Sequence, residues 1–295
     1  MKVRDPIQLQ SFLCAALLCL APTTSFANSV SAYDDSGLRL PAAFSEIPQA
    51  AIRHYHLADH AVLRGASQSG RAGSATSPQL LQFDAEDKPV LSLPIAGSKV
   101  HVSHSERHAN GDVTVTGTVT MDGLVYHLLL TQGPAGAIGE LQGASTFWLQ
   151  QHGNQLYMVD VAAASLTEPS YHNDVVRPPA LTSNALNIQT YTPTIQQANG
   201  QTVTVVDILM LYATELTAVY PNGLAETLMT QLVAKANQAF VDSGVSVQLR
   251  LVHRQLVNYQ RPSNFTALDD LRFALENNPS GNIDPSLAQV RTLRD

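Results

Sequence analysis

Histidine and carboxylate side chains are the residues whose spacing could do chemistry here, and each cluster depends on the element that carries it. In HLADH, His56 and His60 stand at i and i+4, which places both imidazoles on one face of a helix and suits a zinc ion. Leu57 follows the first histidine where a zinc-peptidase helix carries its general-base glutamate, so exposed histidines in a loose segment are the favoured reading. In HVSHSERH, His101, His104 and His108 are close in sequence. A regular strand points 101 and 104 to opposite faces, which favours a surface strand and turn over metal ligation. His253 continues an alternating strand and is expected to be packed or edge-exposed.

The carboxylates are no better placed. Asp269 and Asp270 are neighbours on an expected helix, where adjacent side chains diverge, and read as a solvated first turn favoured by the helix dipole. GPAGAIG, residues 133–139, has glycine at every third position but lies between strands rather than opening a helix, so it is no phosphate cradle. NFT at 264–266 matches a common glycosylation acceptor. The sequence contains no H-E-x-x-H, G-x-S-x-G, P-loop or G-x-G-x-x-G. No residue is therefore assigned a catalytic, cofactor-binding or metal-binding role.

Composition narrows the partners. A formal net charge of -7 leaves no dense basic surface for nucleic acid or anionic membrane. Residues 1–27 carry Lys2 and Arg4, a short apolar core from Phe12 to Leu20 and the small-x-small sequence Ser25-Phe26-Ala27, which is the pattern of a secretory signal peptide. The apolar run is shorter than the roughly 20 residues of a membrane span, so no membrane anchor is expected in the mature chain. Both cysteines, Cys14 and Cys19, fall inside this segment, which removes disulfide and thiolate chemistry from the exported protein. The expected location is secreted or periplasmic.

The elements that must position any site follow from periodicity. Residues 28–89 are weakly patterned, with one short helix expected around FSEIPQAAIRHYHLA. From 90 to 161, DVTVTGTVT alternates valine with threonine, Asp122-Gly123 turns the chain, and LVYHLLLT returns. AIGELQ, TFWLQQ and QLYMVDV extend this hairpin to a meander. Residues 162–202 read as a linker open to proteolysis. In 203–295, TVTVVDILMLY suits a strand covered on both faces. A helix follows Asn222-Gly223 with Leu224, Leu228, Leu232, Ala236 and Phe240 every four residues, then a glycine stop at Gly244 and a second strand. Parallel pairing is expected. A capping box, Thr266 with Asp269, and Asp284-Pro285 start two further helices. Only two strands are expected here, with helices to one side, so the sheet reads as unfinished.

VDILMLYATEL, then Asn237, Gln238, Ala239, Phe240, Ser243, Gly244 and Val245 leading into Leu251-Val252-His253 and Tyr259, and then ALDDLRFAL and VRTLRD, carry a likeness. Residues 203–295 resemble the N-terminal half of the catalytic domain of reprolysin-like metzincin zinc peptidases, most of all the secreted bacterial branch with the peptidyl-Asp metallopeptidases. RHANGDVTVTGTV and QLYMVDV are similar, more loosely, to the propeptides of such enzymes. The resemblance implies an α+β chain: an antiparallel β-rich prodomain over 90–161, a cleavable linker, and an incomplete α/β start of a catalytic domain. It implies zinc as the cofactor of the complete enzyme and protein or peptide substrates, with the three-histidine zinc helix and its glutamate beyond Asp295. This chain is then expected to be inactive by itself. The competing expectation, from the absence of catalytic motifs, is a non-catalytic exported protein that binds or inhibits a peptidase.

Overall fold

The computed structural model describes residues 44, 47–57, 79–164, 194–198, 201–259 and, toward the end, 270, 271, 274, 285–288 and 290–294. The strands are β1 Ile52–His56, β2 Leu81–Phe83, β3 Pro89–Leu91, β4 Lys99–Arg107, β5 Val113–Met121, β6 Leu124–Gly133, β7 Gly136–Gln142, β8 Thr146–His152, β9 Gln155–Asp160, β10 Thr194–Ala198, β11 Gln201–Ala213 and β12 Val247–Val257. The helices are α1 Thr214–Val219, α2 Leu224–Asp242 and α3 Val290–Arg294.

Seven strands form one antiparallel sheet in the order β1-β9-β8-β7-β6-β5-β4. Alternation builds it. Val113, Val115, Val119 and Met121 enter a buried cluster with Leu128, Leu130, Leu141, Leu149 and Met158, and the β2-β3 hairpin closes over this face with Leu81 and Leu91. The threonines between those valines turn to the opposite face. Asp122 and Gly123, both at positive φ, make the two-residue turn between β5 and β6, as the Asp-Gly pair predicts.

Residues 51–56 do not continue a helix. A short 3-10 turn over Gln49–Ala51 gives way to β1, which pairs antiparallel with β9 and so adds a strand from outside the 90–161 segment. The local pattern was ambiguous, and pairing with an open sheet edge decided it. On β4 the register slips between Val102 and His104, because Ser103 is bulged out and donates its hydroxyl to the Thr116 carbonyl at 3.1 Å. His101 and His104 then oppose Thr118 and Thr116, which share one face. The expectation of opposite faces is corrected by that one inserted residue.

The smaller sheet runs β10-β11-β12. β11 and β12 are parallel, joined through α1 and α2, while β10 pairs antiparallel with β11. β10 lies in the stretch expected to be linker, and the sheet has three strands where two were expected. β11 is covered on both faces, while Val252 and Leu256 of β12 remain exposed. Ile208 and Met210 pack with Met229 and Val233 of α2, whereas Leu209 and Leu211 pack with Tyr259, Leu271, Leu287 and Val290. The expectation that Val206, Ile208, Met210, Val247, Leu249 and Leu251 lack cover is thus overturned for five of the six, which belong to the cluster capped by α2; Val247 is half-buried outside that cluster. Asn237 pins helix to strand. Its amide donates to the Leu249 carbonyl at 2.9 Å and accepts from the Leu249 amide at 2.7 Å. Gly244, at φ 66°, ends α2 as a C-cap glycine should.

Near the end of the chain, Pro285–Leu287 is a 3-10 turn and α3 spans only Val290–Arg294, in place of one continuous helix. Leu287 and Val290 are buried, but Leu293 is exposed. Thr266 and Asp269 lie outside the described residues.

Candidate functional site: a polar seam between sheet and helix

α2 is buried on two sides. One side is the apolar cluster against β11 and β12; the other faces the threonine face of the large sheet and is polar, with Thr227, Thr230 and Gln231 all buried. At its start the helix comes close to Gly133, where an added Cβ would stand 2.2 Å from Thr227 Oγ1 and 2.6 Å from Asp112 Oδ1. Only glycine permits that approach.

Asp112, 2% exposed, is the centre of the seam. Its Oδ2 accepts from Thr230 Oγ1 and from Asn110 Nδ2, both at 2.6 Å, and Arg254 Nη1 lies 3.6 Å away. Arg254 also pairs with Glu226 Oε2 at 3.1 Å and donates to the Glu226 carbonyl at 2.9 Å. Burying a carboxylate is costly unless it is paired and hydrogen-bonded, and Asp112 is both. Farther along the helix, Lys235 Nζ meets Glu140 Oε2 at 2.7 Å, with Glu140 5% exposed.

Between these anchors runs a line of hydrogen bonds whose direction follows from proton counting. Gln231 Nε2 donates to the Leu129 carbonyl at 3.2 Å, and its Oε1 accepts from Thr131 Oγ1 at 2.7 Å. Thr131 has then used its proton, so Thr114 Oγ1 donates to it at 2.8 Å. Thr114 in turn leaves His108 Nε2, 2.7 Å away, as the donor at the head of the line. His108 is thereby drawn out of the histidine cluster and into the seam.

The other sequence candidates are dispersed. His56 lies on β1 against the Asn154 amide at 2.7 Å, and His60 falls outside the described residues. His101 and His104 are exposed on β4, on the side of the sheet that bears Thr116 and Thr118. His253 is exposed on β12, 3.4 Å from Gln255 Oε1. Asp270 is not simply solvated: it accepts the Tyr259 hydroxyl at 2.8 Å, while Asp269 and the NFT segment are outside the described residues. Gly133 and Gly136 bracket the β6-β7 turn, between strands as expected. Among the described residues, no three His, Cys, Asp or Glu side chains converge to hold a metal ion.

Asp112, Glu226, Thr230, Gln231 and Arg254 were not singled out from the sequence. Thr227, Thr230 and Gln231, at i, i+3 and i+4, form an uncharged polar stripe on the helix, and that stripe was the signal available.

The seam gives tyrosine a role as well. Tyr212 donates its hydroxyl to Glu226 Oε1 at 3.1 Å. Burial raises its pKa above the ordinary tyrosine value, the Glu226 charge and hydrogen bond add to this, and Arg254 opposes it. Burial likewise raises Tyr220. A raised folded-state value stabilises the fold fully below the unfolded pKa of about 10, and this contribution is lost as pH rises through the folded value. Stability is therefore expected to fall above about pH 10. Tyr212→Phe should flatten that fall, measured as urea midpoints between neutral and alkaline pH; an unchanged slope would remove Tyr212 from the account.

Fold and seam together define an α+β protein in which a large antiparallel sheet docks by its polar face on a helix that backs a parallel strand pair. No family model, no curated protein and no solved structure matches the chain.

Proposed function

We propose that this chain is the precursor of a secreted zinc-dependent endopeptidase. In this reading the β-rich sheet is the prodomain, residues 203–295 begin a metzincin-like catalytic domain, and the zinc-binding helix lies in sequence beyond Asp295. Peptide bonds would then be cleaved by a metal-activated water that this segment does not itself hold.

One observation supports the reading above the others: the two parts keep separate apolar cores and share a boundary rich in polar groups. The two clusters of the sheet draw only on residues 44–164, and those of the helix unit only on residues 206–290. A prosegment has to leave its enzyme without unfolding it. A boundary of threonine, glutamine and paired charges can be rehydrated on separation, whereas a shared apolar core cannot.

The test begins with the coding sequence downstream of Asp295. An in-frame H-E-x-x-H is expected within about 60 to 100 residues, and the extended protein should hydrolyse peptides in a chelator-sensitive manner. An open frame without the motif, or an extended protein with no zinc-dependent hydrolysis, would overturn the proposal. Inhibition of a related peptidase by the present chain would then favour a non-catalytic exported inhibitor.

A further inference from the structure

We propose that the sheet unit and the helix unit recognise each other as separate chains, so that they stay paired through the seam once the connection between them is cut. This deepens the prodomain reading by naming the partner of the sheet's polar face: helix α2 of the same chain. Calling the sheet a prodomain rests on that reading, but the pairing itself does not.

The contacts have the character of a recognition surface rather than of a continuous core. Thr227 at Gly133, Thr230 at Asp112, Gln231 at Thr131 and Lys235 at Glu140 fall along one side of α2. They span nine residues, 227–235, about 12 Å of helix. The first is a close approach that glycine permits, and the other three are polar matches between sequence-distant groups: the Asp112–Thr230 bond spans 118 residues and the Lys235–Glu140 bond 95. Charge is complementary where the units meet, with acidic Asp112 and Glu140 on the sheet facing Arg254 and Lys235. Each unit retains its own buried clusters when the seam is opened. The groups then uncovered include Asp112, Thr131 and Glu140, which water solvates well, together with the buried Leu129 and Ile138 on the face of Thr131 and Glu140.

The experiment uses the full chain with a protease site introduced between residues 165 and 193, cut after purification and examined by size exclusion and by titration of the recovered pieces. The cut protein is expected to elute as one complex at micromolar concentration. Lys235→Glu should weaken the pairing at least about tenfold by placing two carboxylates together, and adding Glu140→Lys should restore most of it. Gly133→Val, which drives side-chain atoms into Thr227 and Asp112, should separate the pieces while each keeps its circular dichroism. Separation of the unmutated pieces would overturn the inference, as would Lys235→Glu and Gly133→Val variants that pair as tightly as the parent. A downstream frame without a zinc motif would defeat the peptidase reading and leave this binding result standing.

Discussion

Asp112→Ala is expected to cost the protein about 3 kcal/mol, the low end of the range for removing one partner of a buried ion pair. The low end applies because Arg254 keeps Glu226 at 3.1 Å when Asp112 is gone. Thr230 and Asn110, in contrast, each lose an acceptor at 2.6 Å, which leaves Thr230, 2% exposed, only the Glu226 carbonyl at 3.4 Å. An unsatisfied buried donor carries most of its desolvation penalty. Urea unfolding should show the loss, and Asp112→Asn should recover part of it by supplying an acceptor without the charge. A loss under about 1 kcal/mol for Asp112→Ala would place the carboxylate in the class of solvent-screened pairs and remove it as the centre of the seam.

The second large effect lies in the sheet. Leu130, 0% exposed on β6, sits in the cluster shared by β5 through β9, and Leu130→Ala should cost about 2 to 5 kcal/mol through lost burial and a residual cavity. The informative readout is where protection against amide exchange is lost. Because the clusters around Ile208 and Leu211 contain no residue of the sheet unit, amides of β5, β6 and β7 should exchange faster while those of β11 and β12 hold. Equal loss in both units would mean that they unfold together, and that the seam couples them more strongly than its polar composition implies.

Local chemistry was legible in the sequence. Period-two alternation in VTVTGTVT assigns valine to the core and threonine to the other face, because a strand offers only two directions. Asp122-Gly123 and Gly244 mark a turn and a helix end because both places demand positive φ. The apolar run of β11 and the following helix predict a parallel strand pair, since a helix is long enough to return the chain. These features depend on residues a few positions apart.

What tertiary structure alone decided depends on partners outside the local pattern, from a neighbouring strand to a docking surface 118 residues away. Ser103 leaves the ladder beside Gly117, where a Cβ would stand 2.1 Å from the His101 carbonyl oxygen; nothing in HVSHSERH itself announces a bulge. β10 becomes a strand by completing the edge of β11, although its own residues carry no sustained pattern. Leu209 and Leu211 find cover in Leu287 and Val290, which the sequence placed in a helix with no stated partner. Asp112 and Thr230 look like ordinary surface residues in their own segments, and only the docking of α2 buries them together. Alternation and turn preference are properties of the chain, whereas burial of a polar group belongs to whichever distant surface arrives to satisfy it.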